Sequence, residues 1–188
     1  MKRLIVFVVL AWQFLVASSV LADSTPAARL SLKGINGIAL QVEQINATAE
    51  KDGLSRQAIR REVETRLREA KVPVLMPDQQ QQSLRRPCLV VRVATSKLNT
   101  GEHLYSIRVE VTQWVASLAN PAVTVSQAIP VPATTWSAAG VFGITPPEQL
   151  KGDSHRAVAA MVDEFINAYY LANPSETAYR LRRPDKVR

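Results

Sequence analysis

The chain has one thiol, Cys88, and two imidazoles, His103 and His155, and any nucleophilic or metal chemistry would have to be built from them. A reactive thiolate needs a nearby base or a helix N-terminus to lower its pKa, and only the two histidines could serve as that base. Cys88 lies instead in Pro87-Cys88-Leu89-Val90-Val91, a buried-strand run in which a free cysteine acts as a small hydrophobe. Metal binding needs clustered His, Cys or carboxylate ligands; the histidines fall in different elements, and neither HxxxH nor CxxC spacing occurs. Asp153 and His155 are neighbours at an expected helix start, where capping accounts for Asp153 and His155 is expected on the surface. GxSxG, HExxH and phosphate-loop patterns are missing, and Gly140-Val141-Phe142-Gly143 lacks phosphate-loop spacing. The residues therefore predict no catalytic, cofactor or metal site.

Aromatic and basic residues carry more information. Trp114 falls on the polar register of its strand with Arg108, Glu110 and Thr112. It is either an exposed aromatic on a binding face or one covered by a loop or shifted by a bulge. Phe142 lies in the most loop-like stretch, Ala138 to Pro147. Arg180, Arg182 and Arg183 begin a basic run completed by Lys186 and Arg188. Trp114, Arg108, Phe142 and these three arginines are the candidate partner-binding residues.

The elements that must position them follow from periodicity. Ile38, Leu40 and Val42 alternate with Ala39, Gln41 and Glu43 within Gly37 to Gln44, as in a strand with one buried face. Ser55 is a plausible N-cap for a helix to Ala70, with Ile59, Val63 and Leu67 on one stripe and Glu62→Arg66 and Glu64→Arg68 pairs outside it. Lys71 to Pro77 predicts a short edge strand, since Pro73 lacks an N–H. Gln79 to Arg86 is a polar turn or a single helical turn.

Cys88 to Lys97 and Leu104 to Leu118 predict an antiparallel hairpin turning at Asn99-Thr100-Gly101-Glu102. Val123 to Ile129 is a further strand, Pro130 and Pro132 interrupt it, and Thr134 to Ser137 resumes after a bulge with Trp136 facing the core. A final helix is expected from His155 to Ala172, capped by Asp153 or Ser154 and stopped at Asn173-Pro174. Helices on one face of a mainly antiparallel mixed sheet of four to five strands is the economical arrangement, an α+β two-layer sandwich.

Residues 1 to 22 have the layout of a cleavable secretory signal: Lys2 and Arg3, then an apolar core from Leu4 to Val16, then Val20-Leu21-Ala22 before Asp23. An uncleaved anchor helix is the alternative, and a lipid anchor would need a Cys where Asp23 stands. Residues 23–34 are expected to be a flexible lead-in, 35–173 one α+β domain and 174–188 a mobile basic tail. The formal net charge of +7 falls to +5 without Lys2 and Arg3, and much of the excess lies in the tail, which argues against a nucleic-acid footprint on the folded part.

Gly37-Ile38-Ala39-Leu40-Gln41-Val42, the helix end Leu67-Arg68-Glu69-Ala70-Lys71-Val72, the strand Leu89 to Val93 and Asp163-Glu164-Phe165 carry a resemblance over most of residues 35–172. The chain resembles small bacterial envelope αβ domains, namely the N-terminal domain of the Tol-system propeller protein and domains of the curli secretion channel protein and of flagellar and peptidoglycan-synthase accessory proteins. That resemblance implies an αβ fold and a binding or assembly role with an envelope protein as partner. The expectation is a non-enzymatic periplasmic interaction module without cofactors. One alternative is a peripheral binder of anionic membrane or cell-wall surfaces through the basic tail, and another is an enzyme of unrecognised type.

Overall fold

A computed structural model describes residues 25–116 and 129–174. The chain forms helix α1 (Pro26–Ser31), strand β1 (Ala39–Val42), helices α2 (Ala47–Lys51), α3 (Arg56–Glu69) and α4 (Pro77–Gln82), strands β2 (Cys88–Lys97), β3 (His103–Ala116), β4 (Pro130–Ser137) and β5 (Val141–Thr145), and helix α5 (Pro147–Ala172). It is an α+β sandwich in which helices pack on one face of a mixed five-stranded sheet.

The order is β1-β2-β3-β4, with β5 also paired to β3. Only β1–β2 is parallel, and the intervening residues 43–87 supply the crossover that a parallel pair requires. The long β3 serves two partners on one edge: residues 110–116 pair with β4, and residues 103–107 pair with β5.

Alternation along the strands sends one set of side chains into the core. Leu40, Val42, Leu89, Val91, Val93, Ile107, Val109 and Val111 meet the stripe Ile59, Val63 and Leu67 of α3 and Val158, Val162, Phe165 and Tyr169 of α5. The Ser55 side chain accepts from the Ala58 N–H as the N-cap of α3. Glu62–Arg66 and Glu64–Arg68 each close to 3.6 Å on the outer face of that helix. Arg66 also grips both Asp163 carboxylate oxygens at 3.0 and 2.9 Å, tying α3 to α5. Trp136 is fully buried edge-on to Phe165, with ring centroids 5.5 Å apart. The β3–β4 register shifts between Val111 and Thr112, so the bulge falls at Thr135, inside the stretch expected to follow it, and Trp136 pairs with the inward-facing Val111.

The structure departs from the sequence expectations in several places. The described part of the lead-in is folded: Leu32 is buried, Asn173 Oδ1 accepts from the Gly34 N–H at 2.7 Å, and Asn173 Nδ2 donates to the Leu32 carbonyl at 3.0 Å. The stretch from 138 to 147 is no loop, because Val141–Thr145 forms β5. Gly143 there leaves room for the Tyr105 ring, which a Cβ would meet at 3.0 Å. Pro130 and Pro132 do not break β4, because at the sheet edge their missing N–H groups cost no ladder bond. The final helix begins at Pro147, eight residues before His155, since proline at the first helical position is preorganised for the helix. Asp153 and Ser154 therefore lie inside α5 and do not cap it. The expected strand at 71–77 shrinks to one parallel bridge, Ile38–Val74, and the expected connection at 79–86 begins within α4. Residues 1–22, most of the strand expected from Val123 to Ile129, and the tail with Arg180, Arg182 and Arg183 lie outside the described residues.

Candidate functional site

Among the described residues, the helices leave the second face of the sheet without a helical layer over most of its width. Even-numbered residues of β2 and β3 point to this face: Cys88 opposite Thr112, Val90 opposite Glu110, Arg92 opposite Arg108 and Ser96 opposite Leu104. Trp114 belongs to the same row, paired with Pro132 of β4, and the bulge in β4 leaves the β3 register intact. Trp114 and Arg108 thus share a face, but six residues along one strand place them about 20 Å apart.

At the Trp114 end, the β2–β3 ladder stops at Cys88–Thr112 and the turn before β2 reaches over to β3. The Trp114 N–H donates to the Arg85 carbonyl at 2.8 Å. Arg86 has a φ of 43°, a left-handed conformation uncommon outside glycine and asparagine. Its guanidinium lies 4.8 Å from the centroid of the Trp114 ring, within cation–π range. The 84–87 connection therefore covers one side of Trp114, and the residue remains 37% exposed.

A groove of about 360 Å³ opens beside this pair. Cys88 and Thr112 form part of its floor; Leu75, Pro77 and Gln80 bring the start of α4 to one wall, and Arg56 and Arg60 of α3 lie beside the β1 edge. Ala39, Cys88 and Val90 form a small apolar cluster beneath it, packed against Leu75. Burial holds the Cys88 thiol above its ordinary pKa, against the opposing hydrogen bonds from Gln80 and the Gln41 backbone. Cys88 is accordingly a packed, protonated thiol. His103 stands opposite Lys97 at the far end of the hairpin, nine residues along β3 from the partner of Cys88, so it cannot act as that thiol's base.

Midway along the open face, Arg92 bonds Glu43 at 2.7 Å and also pairs with Glu110. The Glu43 carboxylate is the main reason the Arg92 guanidinium is held above its ordinary pKa. At the β5 end, Leu104, Phe142 and Ile144 lie together as exposed apolar side chains, since Leu104 pairs with Ile144 and Ser106 with Phe142. Gly140 borders Arg108, so Arg108 and Phe142 belong to this end of the face.

The histidines serve structure. His103 is fully buried and shares a 2.6 Å hydrogen bond with Asp52, which also accepts from Lys97 at 3.0 Å. His103 first and Lys97 second hold the Asp52 carboxyl below its ordinary value. His155 is not a free surface residue, because its Nδ1 pairs with Glu62 of α3. Asp153 accepts from the Thr145 hydroxyl at 2.7 Å and joins the end of β5 to α5. Among the described residues no group of three or more His, Cys, Asp or Glu side chains could hold a metal ion, and no helix is long and apolar enough to cross a membrane.

Of the expected partner-binding residues, the structure keeps Trp114, Arg108 and Phe142 on one face but divides them between two ends. Sequence reasoning missed Arg86, Gln80 and Arg56; it places Arg60 on the outer, arginine-rich face of its helix, for which an anionic partner is an alternative to plain solvation. Arg86 had only a coarse signal: the β2–β3 register ends at Cys88–Thr112, so the residues just before Cys88 fall near 114, and the structure bonds Trp114 to Arg85 there. Comparison of the sequence with protein-family models finds no match, and comparison with curated proteins finds none either.

Proposed function

We propose that this protein is a periplasmic interaction module of the bacterial cell envelope that captures a partner protein through the open sheet face at Trp114. The observation that carries this reading is the Trp114–Arg86 pair: an aromatic side chain, 37% exposed, on a strand register facing away from the core, with a guanidinium 4.8 Å from its ring centroid. Tryptophan and arginine are the residue types most enriched among those that dominate binding energy at protein interfaces. The secretory layout of residues 1 to 22 supports the compartment, and the likeness to envelope αβ domains supports the class of partner.

Trp114→Ala tests the reading. The side chain lies outside the core, so the variant folds with wild-type circular dichroism and a stability within about 1 kcal/mol of wild type. Crosslinking in intact cells followed by mass spectrometry recovers an envelope protein with the wild-type chain. Equal recovery with Trp114→Ala refutes the assignment of this face.

A further inference from the structure

The groove beside Trp114 has a one-sided charge. Among the described residues, three guanidiniums line it, those of Arg56, Arg60 and Arg86, and the lining includes no carboxylate. Arg60 is paired with Glu64 at 2.9 Å. The other two have no carboxylate partner among the described residues: Arg56 donates to the Val42 carbonyl at 2.8 Å and to Gln44 at 3.5 Å, and Arg86 lies against the Trp114 ring. Guanidinium groups present paired donors that match a carboxylate. Gln41, Gln80 and Thr112 add neutral donors and acceptors suited to backbone amides, and Leu75 and Pro132 give apolar footing beside the indole.

We infer that this groove binds an acidic, extended segment of the partner protein, with carboxylates on Arg56 and Arg86 and an apolar side chain against Trp114. The inference rests on the open-face reading above and names the chemistry of the ligand. A phosphate-bearing surface would use the same guanidiniums but would leave the neutral amide-bonding wall and the indole idle, so a peptide is the better match.

The test uses the purified protein and a synthetic peptide alternating Glu with Ala and Leu. Controls are the same peptide with Gln for Glu, inorganic phosphate, and phosphatidylglycerol vesicles. Binding is read twice: by titration calorimetry, and from Trp114 emission taken as the difference between wild type and Trp114→Ala, since Trp12 and Trp136 also emit. The Glu peptide is expected to give a titration heat, shift the Trp114 emission and lose affinity as salt rises. Arg56→Gln and Arg86→Gln, both at exposed positions, each weaken it about tenfold, the value of one charge-assisted hydrogen bond. Equal binding of the Gln peptide, or unchanged affinity in both arginine variants, overturns the inference. So does binding of phosphate or vesicles, but not of the Glu peptide, through the same arginines. If the Glu peptide fails while Trp114→Ala still loses the cellular partner, the ligand class falls and the interaction face stands.

Discussion

Asn173 is the sharpest test of how the N-terminal segment is held. It forms the C-cap of α5 and is buried. Its Oδ1 accepts from the Gly34 N–H at 2.7 Å, and its Nδ2 donates to the carbonyls of Leu32 at 3.0 Å and Tyr169 at 2.9 Å. Asn173→Ala removes these three side-chain bonds together and leaves the half-buried Gly34 N–H without its partner, while the Leu32 carbonyl keeps only the Ile35 N–H at 3.3 Å. Each hydrogen bond contributes about 1 kcal/mol net, and a buried group left unsatisfied costs about 1 to 3 kcal/mol. The expected loss is about 2 to 4 kcal/mol, a large part of the roughly 5 to 15 kcal/mol that holds a domain folded. Asn173→Asp keeps an acceptor for Gly34 but points a carboxylate at two carbonyl oxygens and the negative end of the α5 dipole. It is therefore at least as damaging as alanine. Urea unfolding followed by circular dichroism measures both variants, and limited proteolysis reports whether cleavage after Arg29 or Lys33 accelerates. An Asn173→Ala protein within 0.5 kcal/mol of wild type (roughly the scatter of neutral surface changes) and no easier to cleave would refute the view that this cap locks the lead-in to the domain.

Other expectations concern charge and packing. Asp52 is held below its ordinary value of 3.8 by His103 and Lys97, so its contribution to stability is complete above that pH and is lost as pH falls through the lower folded-state value. Asp52→Asn should flatten stability against pH below 3.8, measured by urea titrations at several acidic pH values; an unchanged slope counts against the triad. A Cβ at Gly37 would meet Leu75 Cδ2 at 2.7 Å and the Pro73 carbonyl oxygen at 3.0 Å, so Gly37→Ala should cost about 1 to 3 kcal/mol in the same unfolding assay. Gly152 in α5 faces open space within 4 Å, and Gly152→Ala should raise stability by about 0.5 to 1 kcal/mol.

Elements whose signals are local were legible. The α3 stripe, its Ser55 cap, the β2–β3 hairpin and the inward Trp136 all follow from periodicity and turn chemistry within a few residues. β5 was hidden because it pairs with β3 about forty residues earlier, while Gly143 within it and Gly140 just before it imitate a loop. The first two turns of α5 were hidden behind Pro146-Pro147, which closes a helix as readily as it opens one. Helix α1 holds its place through contacts with β4 and the end of α5 that no short window contains. In the groove, Trp114 was visible from strand register. Arg56 carried no local signal and Arg60 sat on a face read mainly as solvated, since only tertiary docking sets the start of α3 beside the β1 edge.

The two edges of β3 also bear on how the chain folds. The edge that pairs with β2 closes a turn of a few residues, whereas β1 can join β2 only after residues 43–87 have been gathered into α2, α3 and α4. Loop-closure entropy favours the hairpin as the early template and leaves the parallel pair for late in the reaction. Mutations in the hairpin should then slow refolding, while mutations in β1 chiefly hasten unfolding. The groove at Trp114 is walled by residues from both regions, so it is completed only when the last strand docks.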